Sequence, residues 1–483
     1  AGSALNINQT TQRAAIDWNT FNVGKDAQVN FNQPSSSAVT LNRVLDTNAS
    51  QIMGRISAPG QVFLVNPNGV LFGPNSQVDV GGLVATTQNI SNADFMAGKS
   101  TFEGDARSGV SVVNQGQLNA ALGGYIALLA PQVRNEGVVV AREGTVALAA
   151  GDKSVIEFSG TRMTSVLVDR AVMDALVENK QVVRADGGLV LLSARSANAI
   201  LSSVITNSGT VQANTVVNRN GRIVLEGGEQ GVVQVSGTLQ ASGVDAGTQG
   251  GSVVVTGDKV QIASGAQLDA SGKAGGGLVL VGGGWQGQDP TIRQANAVVV
   301  ESGARLDASA VDQGNGGTVV AWSNTQNANS VTRVSGELLA RGGANGGDGG
   351  KIETSGHWLS TDGVKGDATA AKGKGGEWLF DPYDVTISNA TTYASHPTSN
   401  SWTSSGSAMS YVKSSDIETL LNQGTNVTVS TGTYSTSTDG NITVSSPITG
   451  TGAGGAAKLT LTANHNIAVS NTISVAAVAL KKK

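Results

Sequence analysis

Residues 250–280 read GGSVVVTGDKVQIASGAQLDASGKAGGGLVL, and the phrases in this stretch decide the fold. Gly250-Gly251 leads into the apolar run Ser252-Val253-Val254-Val255, and Gly276-Gly277 leads into Leu278-Val279-Leu280. Between them lies Gln267-Leu268-Asp269-Ala270-Ser271-Gly272. The Gly-Gly phrase recurs at Gly187-Gly188-Leu189, Gly316-Gly317-Thr318, Gly349-Gly350-Lys351 and Gly375-Gly376-Glu377. The Leu-Asp-Ala-Ser phrase recurs at Leu306-Asp307-Ala308-Ser309. A third phrase, a turn followed by a short strand, appears at Asn114-Gln115-Gly116, Asn135-Glu136-Gly137, Asn207-Ser208-Gly209, Ser236-Gly237 and Ser335-Gly336.

The copies are 21 residues apart from Asn114 to Asn135, and 29, 38 and 32 apart from Leu239 through Leu268 and Leu306 to Leu338. Some twenty residues hold three short strands and three turns, one coil of a solenoid; the longer intervals leave room for loops. A single coil cannot bury its inward side chains, but stacked coils share a continuous core. Glycine supplies the corner conformations, and stacked asparagines can share hydrogen bonds along the axis. A sandwich array would instead use two-residue Asn-Gly or Asp-Gly hairpins between alternating strands. The expected fold is all-β, a right-handed parallel β-helix with short excursions.

Composition agrees. Of 483 residues, 65 are glycine, 39 % are hydrophobic, 4 % aromatic and 14 % charged, with a net charge of −4. Small and β-branched residues with Thr, Ser and Asn favour strands and tight turns. The even charge balance excludes a nucleic-acid binder that works by general electrostatics, and no apolar run reaches the about 20 residues that span a bilayer. Without cysteine there are no disulfides, thiolate metal sites or thiol nucleophiles, which also suits an exported chain. The start at Ala1, without Met or an apolar leader, reads as processed or cut, and Lys481-Lys482-Lys483 as an artificial or truncated end.

Two segments depart from the coil rhythm. Asp169 to Glu178 reads as a short helix with Val172, Leu176 and Val177 on one side. Ser415 to Asn422 reads as a second helix with a Ser415–Glu418 capping box, ending near Gly424. The Ser/Thr-rich run 388–410 reads as a linker. The expected organisation is therefore 1–160, the start of the β-helix; 161–186, an excursion; 187–380, a shaft; and 381–483, a linker, a short helix and further β-rich repeats.

Chemistry finds little material. Carbohydrate-cleaving β-helices need clustered carboxylates, and the neighbours here (Asp381 with Asp384, Glu301 near Asp307, and Glu157) read as solvated turn acids. His357 beside Trp358 reads as a packed residue. Trp285, Trp358 and Trp378 could stack on sugars, with nothing to choose among them. Gly342 to Gly350 holds one Asp at the wrong offset for a calcium β-roll. No catalytic residue, cofactor or metal site is expected, and the chain is not expected to be an enzyme.

The sharpest local signal is Asn66-Pro67-Asn68-Gly69, between Val62-Phe63-Leu64-Val65 and Val70-Leu71-Phe72. Asn first, Pro second and Gly fourth specify a type I turn, here a corner between two strands. Around it lie Ile16-Asp17-Trp18-Asn19, Ala38-Val39-Thr40-Leu41-Asn42, Ile52-Met53-Gly54-Arg55 and Gly81-Gly82-Leu83-Val84. In that order and spacing, residues 5–160 resemble the secretion domain of two-partner-secretion exoproteins, the filamentous haemagglutinin and high-molecular-weight adhesin family. Glu353-Thr354-Ser355-Gly356-His357 and Glu377-Trp378-Leu379-Phe380-Asp381-Pro382 resemble the adhesin branch, and that family's N-terminal cap begins before Ala1.

The resemblance implies export to the periplasm, recognition by an outer-membrane β-barrel transporter, passage through it unfolded, and folding outside. It implies a secreted or surface-exposed protein whose shaft mediates adhesion or presents a distal domain, with a host or bacterial surface glycan or protein as receptor. Nucleic acid and stable membrane insertion are not implied. A haem-protein capture exoprotein and a contact-dependent toxin carrier share the same secretion domain. Asn66, Pro67, Asn68 and Gly69 are the expected secretion and folding motif.

Overall fold

The computed structural model describes residues 3–105, 109–197, 202–217, 219–389, 402, 410–432 and 439–483. It divides into two compact units, Ala1–Asn214 with Gly221–Val233, and Thr215–Asn220 with Gln234–Lys483. Each is built from coils of a parallel β-helix.

In the first unit, Ser50–Ile52, Val70–Phe72, Ser111–Asn114, Gln132–Asn135, Leu176–Asn179 and Ser203–Asn207 stack in parallel register as one face. Arg55–Val65, Gln77–Thr86 and Gln117–Ala130 stack as the next, long strands bent at Pro59-Gly60 and Gly81. Later coils split that strand in two, as Val138–Val140 with Thr145–Ala150 and Val182–Arg184 with Leu189–Ala194. Alternation dictates what is buried: Ile56, Val78, Leu118, Val139 and Val183 point inward and are buried.

An asparagine ladder runs through this core. Asn114 Nδ2 donates to Asn135 Oδ1 (2.8 Å), Asn135 Nδ2 to Asn179 Oδ1 (2.8 Å), and Asn179 Nδ2 to Asn207 Oδ1 (2.7 Å). A buried amide is tolerable because its neighbours satisfy it.

The segment Asp169 to Glu178 is not a helix. Lys153–Ser159 and Arg162–Arg170 form an antiparallel hairpin that also pairs with Thr101–Glu103. Val172 bridges Ser196, Asp174 adopts a left-handed conformation (φ 57°) that ends any helical path, and Leu176–Asn179 joins the coil ladder. The apparent helical spacing of Val172, Leu176 and Val177 comes from three different local structures. The excursion at 153–170, the strand Thr101–Glu103 paired with it and a short helix α1, Asn92–Met96, cap the outer face of the coils with Phe95, Phe102, Met163 and Val166 against Phe63 and Tyr125. This cover explains why Thr145–Ala150 is buried on both faces.

In the second unit, Ser252–Thr256, Leu278–Val281, Thr318–Trp322, Lys351–Gly356 and Glu377–Pro382 stack in parallel. Asn426–Ser430, Lys458–Ala463 and Ala477–Lys482 continue the face. A second face stacks Thr238–Gln240, Gln267–Asp269, Arg305–Asp307, Glu337–Leu339 and Lys365–Asp367.

The Gly-Gly phrase marks where successive coils nearly touch. A Cβ on Gly276 would lie 1.8 Å from the Ala308 carbonyl oxygen, and one on Gly317 2.0 Å from that of Gly277. The backbone there bonds both ways: Gly276 N donates to Asn315 O (2.9 Å) and Gly277 N to Ala270 O (2.8 Å).

Helix α2, Ser414–Gln423, occurs where expected and ends at Gly424 (φ 97°). The capping box does not form. Lys413 is the N-cap residue and makes no side-chain cap bond, Ser415 lies inside the helix, and Glu418 Oε1 instead accepts from Thr449 N (2.6 Å). The tertiary partner outcompetes the local one. Most of the run 388–410 lies outside the described residues.

Candidate functional site: the Asn66–Gly69 corner

Strand Arg55–Val65 ends and Val70–Phe72 begins across the four-residue corner. Gly69 N donates to Asn66 O (3.0 Å), closing the turn, and Asn66 Oδ1 accepts from Asn68 N (2.9 Å) in an Asx arrangement. Pro67 sets the second position of the turn. Gly69 has φ 116°, and a Cβ there would come within 3.0 Å of Ser111 O, so glycine is required by conformation and by space.

The corner also ties together strands from other coils. Asn66 is wholly buried; its Nδ2 donates to Asn48 O and Ser50 Oγ (both 3.0 Å), and its N–H to Thr86 O (2.9 Å). Asn68 Nδ2 donates to Asp46 O (2.7 Å), and Ser50 N to Gly69 O (3.0 Å). The receiving segment is itself pre-shaped: the Asp46 carboxylate accepts from Asn48 Nδ2 and Thr47 N, and those bonds hold its pKa below the usual carboxylate range. Two other segments, 46–50 and Thr86, are therefore bonded to the one turn, and Ser111 packs against it. The sequence singled out Asn66, Pro67, Asn68 and Gly69 but not Asp46, Asn48 or Ser50, whose roles depend on which coil stacks beneath.

The same early coils contain a polar spine that the sequence reading missed. Thr40 Oγ1 donates to Gln9 Oε1 (2.5 Å), Gln33 Nε2 to Thr40 Oγ1 (2.8 Å), and Gly60 N to Gln33 Oε1 (2.8 Å). Tyr125 OH donates to Gln61 Oε1 (2.5 Å), and burial pushes its phenol pKa up.

The other weighed residues are engaged structurally. His357 stacks on Tyr383 (4.1 Å between centroids) with Nδ1 3.1 Å from Thr325 O, and burial lowers its pKa. Asp384 Oδ1 accepts from Gly440 N and Asn441 N, whereas Asp381 lies half-buried in the sheet beside Ser355. Glu301 accepts from Gln261 and Ser264, Asp307 from Ser309 and Arg305, and Glu157 from Ser165. In the glycine-rich run, Asp348 accepts from Lys374 N and Asn345 donates to Asp312. Among the described residues no three His, Asp or Glu side chains converge as a metal site would require.

Residues 1–241, which include the corner, the polar spine and the asparagine ladder, match the family model of the TPS secretion domain. This chain is a two-partner-secretion exoprotein. The exoprotein is similar to the heme/hemopexin-binding protein of Haemophilus influenzae strain Rd, 34 % identical over 232 residues, 46 % of this chain and 25 % of the relative. A second Haemophilus influenzae protein of that name is 30 % identical over 244 residues, 46 % of this chain and 26 % of the relative. The exoprotein thus spans about a quarter of the curated relatives it matches. Its structure is similar to the crystal structure of the HMW1 secretion domain from Haemophilus influenzae, with TM-score 0.66, 28 % identity, and coverage of 77 % of this chain and 96 % of that one. Membership implies secretion by way of the periplasm and an outer-membrane transporter as partner. No helix among the described residues is long and apolar enough to cross a membrane.

Proposed function

We propose that the Asn66–Gly69 corner is the folding element on which export of this exoprotein depends. One observation carries the reading: the wholly buried Asn66 amide bonds Asn48 and Ser50 while its main chain bonds Thr86, so the turn forms only together with its neighbouring coils. A solenoid propagates from whichever coils form first by nearest-neighbour stacking. An early turn that needs several strands at once couples the first coils into one cooperative step. That step follows emergence from the transporter and favours forward movement by removing unfolded chain from the exit.

In this reading the exoprotein is not a catalyst. Its shaft is displayed at the cell surface or released, and its outward faces meet a host or bacterial surface receptor. The relatives named for heme and hemopexin binding support a second reading, capture of a haem-carrying protein by the whole exoprotein. Co-expression with the cognate transporter tests the export claim. Asn68→Ala should lower the secreted yield and the melting temperature together. Full secretion with unchanged melting contradicts it.

A further inference from the structure

A small pocket in the first unit holds a cation with no opposite charge beside it. The first coils contribute Arg13, Val39 and Gln61 to its walls, and their cover contributes Ser100, Phe158 and Thr161. Arg13 opens the strand Arg13–Trp18 and is half-buried. Its guanidinium carbon stands 4.4 Å from the centroid of the Phe95 ring on α1. Stacking on a ring uses the face of a guanidinium, while its five N–H groups lie in its plane and stay available. None of them bonds an acceptor among the described residues, and Nε is shut off from water as well.

The acids on the surrounding elements are engaged elsewhere. Asp17, on the same strand, pairs with Arg43 (3.1 Å), Asp94 of α1 with Lys99 (2.8 Å), and Glu103 with Arg170 (2.9 Å). On the hairpin, Asp169 pairs with Lys153 (3.0 Å) and Glu157 accepts from Ser165 (2.6 Å). Among the described residues no Asp or Glu lines the pocket. Tyr125 is no substitute, because burial raises its pKa and keeps the phenol neutral. Burial also lowers the Arg13 pKa, as it does for any cation drawn out of water. A second donor faces the same space: Tyr125 OH occupies Gln61 Oε1 (2.5 Å), which leaves the Gln61 Nε2 group without a partner among the described residues.

Size and polarity select the ligand. The pocket has a volume of about 130 Å³, well below the roughly 300–1,000 Å³ of sites for organic ligands. One cation balances one negative charge. Val39 and Phe158 make the walls partly apolar, which disfavours a doubly charged or tightly hydrated anion more than a larger monoanion.

We propose that this pocket binds one monovalent halide, chloride in physiological media, held by the in-plane N–H groups of Arg13, and that the ion fastens the cover of the secretion domain to its first coils. The proposal does not involve the Asn66–Gly69 corner, so its failure leaves the export reading untouched.

The whole purified chain is used for the test. Crystals soaked in sodium bromide and measured at the bromine absorption edge should show an anomalous peak in contact with the Arg13 guanidinium. In solution, chloride is raised from about 2 to about 200 mM with fluoride holding the ionic strength constant. For a dissociation constant of about 10 mM, the melting temperature of the first unit should rise by roughly 3–7 °C. Arg13→Gln should abolish that rise, whatever its own melting temperature. Arg222→Gln, at an exposed arginine that does not line the pocket, should keep it. A map without bromide at Arg13 overturns the proposal, and the map decides by itself should Arg13→Gln fail to fold. Melting that ignores the exchange of fluoride for chloride, or that responds equally in Arg13→Gln, overturns it too.

Discussion

Asn135 Nδ2 donates to Asn179 Oδ1 at 2.8 Å, joining two wholly buried amides on adjacent coils that are 44 residues apart in sequence. Asn135 also accepts from Asn114, so its removal orphans a donor on one side and an acceptor on the other. At about 1–3 kcal/mol for each unsatisfied buried group, Asn135→Ala should destabilise the first unit by roughly 2–5 kcal/mol. Asn207→Ala, at the ladder's end, leaves only the Asn179 donor without its best acceptor and should cost about half as much. Denaturant unfolding of the two variants reads the difference; equal losses would mean the ladder does not act through its amides.

The Gly-Gly interlock makes a position-specific prediction. Gly317→Ala places a methyl 2.0 Å from the Gly277 carbonyl oxygen, where only backbone movement relieves the clash, and should cost about 3 kcal/mol or more. Gly247→Ala, at φ 78° with open space around it, should cost only the left-handed penalty of about 1–2 kcal/mol. Thermal melting of both variants checks the order.

These examples show what the sequence made legible. Gly-Gly followed by an apolar strand recurs because coils approach within contact there, and Asn-x-Gly recurs at Asn114, Asn135 and Asn207 because those amides stack. Asn179 belongs to the same ladder but is followed by Lys180 and Gln181, so its turn carries no glycine to mark it. Periodicity misread Asp169 to Glu178 because an antiparallel hairpin, a bridge and a coil strand follow one another there. The capping box at Ser415 failed because the first turn of α2 is positioned by tertiary contacts. The corner motif was visible, but its partners Asp46, Asn48 and Ser50 follow from coil stacking, which no local pattern encodes.

Acid–base behaviour follows from two carboxyls in the second unit, Glu353 wholly buried and Asp381 half-buried. Glu353 accepts from Gln286 N and Ser355 Oγ, both at 2.8 Å, and so pins the loop that joins strand Leu278–Val281 to strand Ala297–Val300. Burial raises its pKa to about 8, and the facing acids Asp381 and Glu377 add to the rise; burial also raises Asp381 to about 6, against the opposing charge of Lys483. A carboxyl with a raised folded pKa favours the folded state while both states are protonated. That contribution is lost as pH rises from the unfolded value, about 4.3 for Glu, through the folded one. Stability of this unit should therefore fall between about pH 4 and pH 8, and Glu353→Gln should flatten the upper part of that fall. Melting curves from pH 4 to 9 measure it, and a slope unchanged by Glu353→Gln contradicts the assignment.

The excursion over the first unit gives a packing prediction. Phe95 and Phe102 are buried against Phe63, at centroid distances of 5.9 and 6.0 Å. Phe102→Ala should cost about 3–5 kcal/mol and expose the outer face of Tyr125–Ala130 to hydrogen exchange. Protection there unchanged from the parent would mean that the cover built from α1, Thr101–Glu103 and the excursion does not shield the coils.

The central claim is that the Asn66–Gly69 corner forms in the step that starts folding. Stopped-flow refolding of Asn66→Ala tests it most directly. A residue whose contacts are made in the folding transition state slows folding by nearly its whole destabilisation and leaves unfolding almost unchanged. The account predicts refolding slowed at least tenfold with an unfolding rate within about twofold of the parent. Refolding at the parent rate with faster unfolding would contradict it.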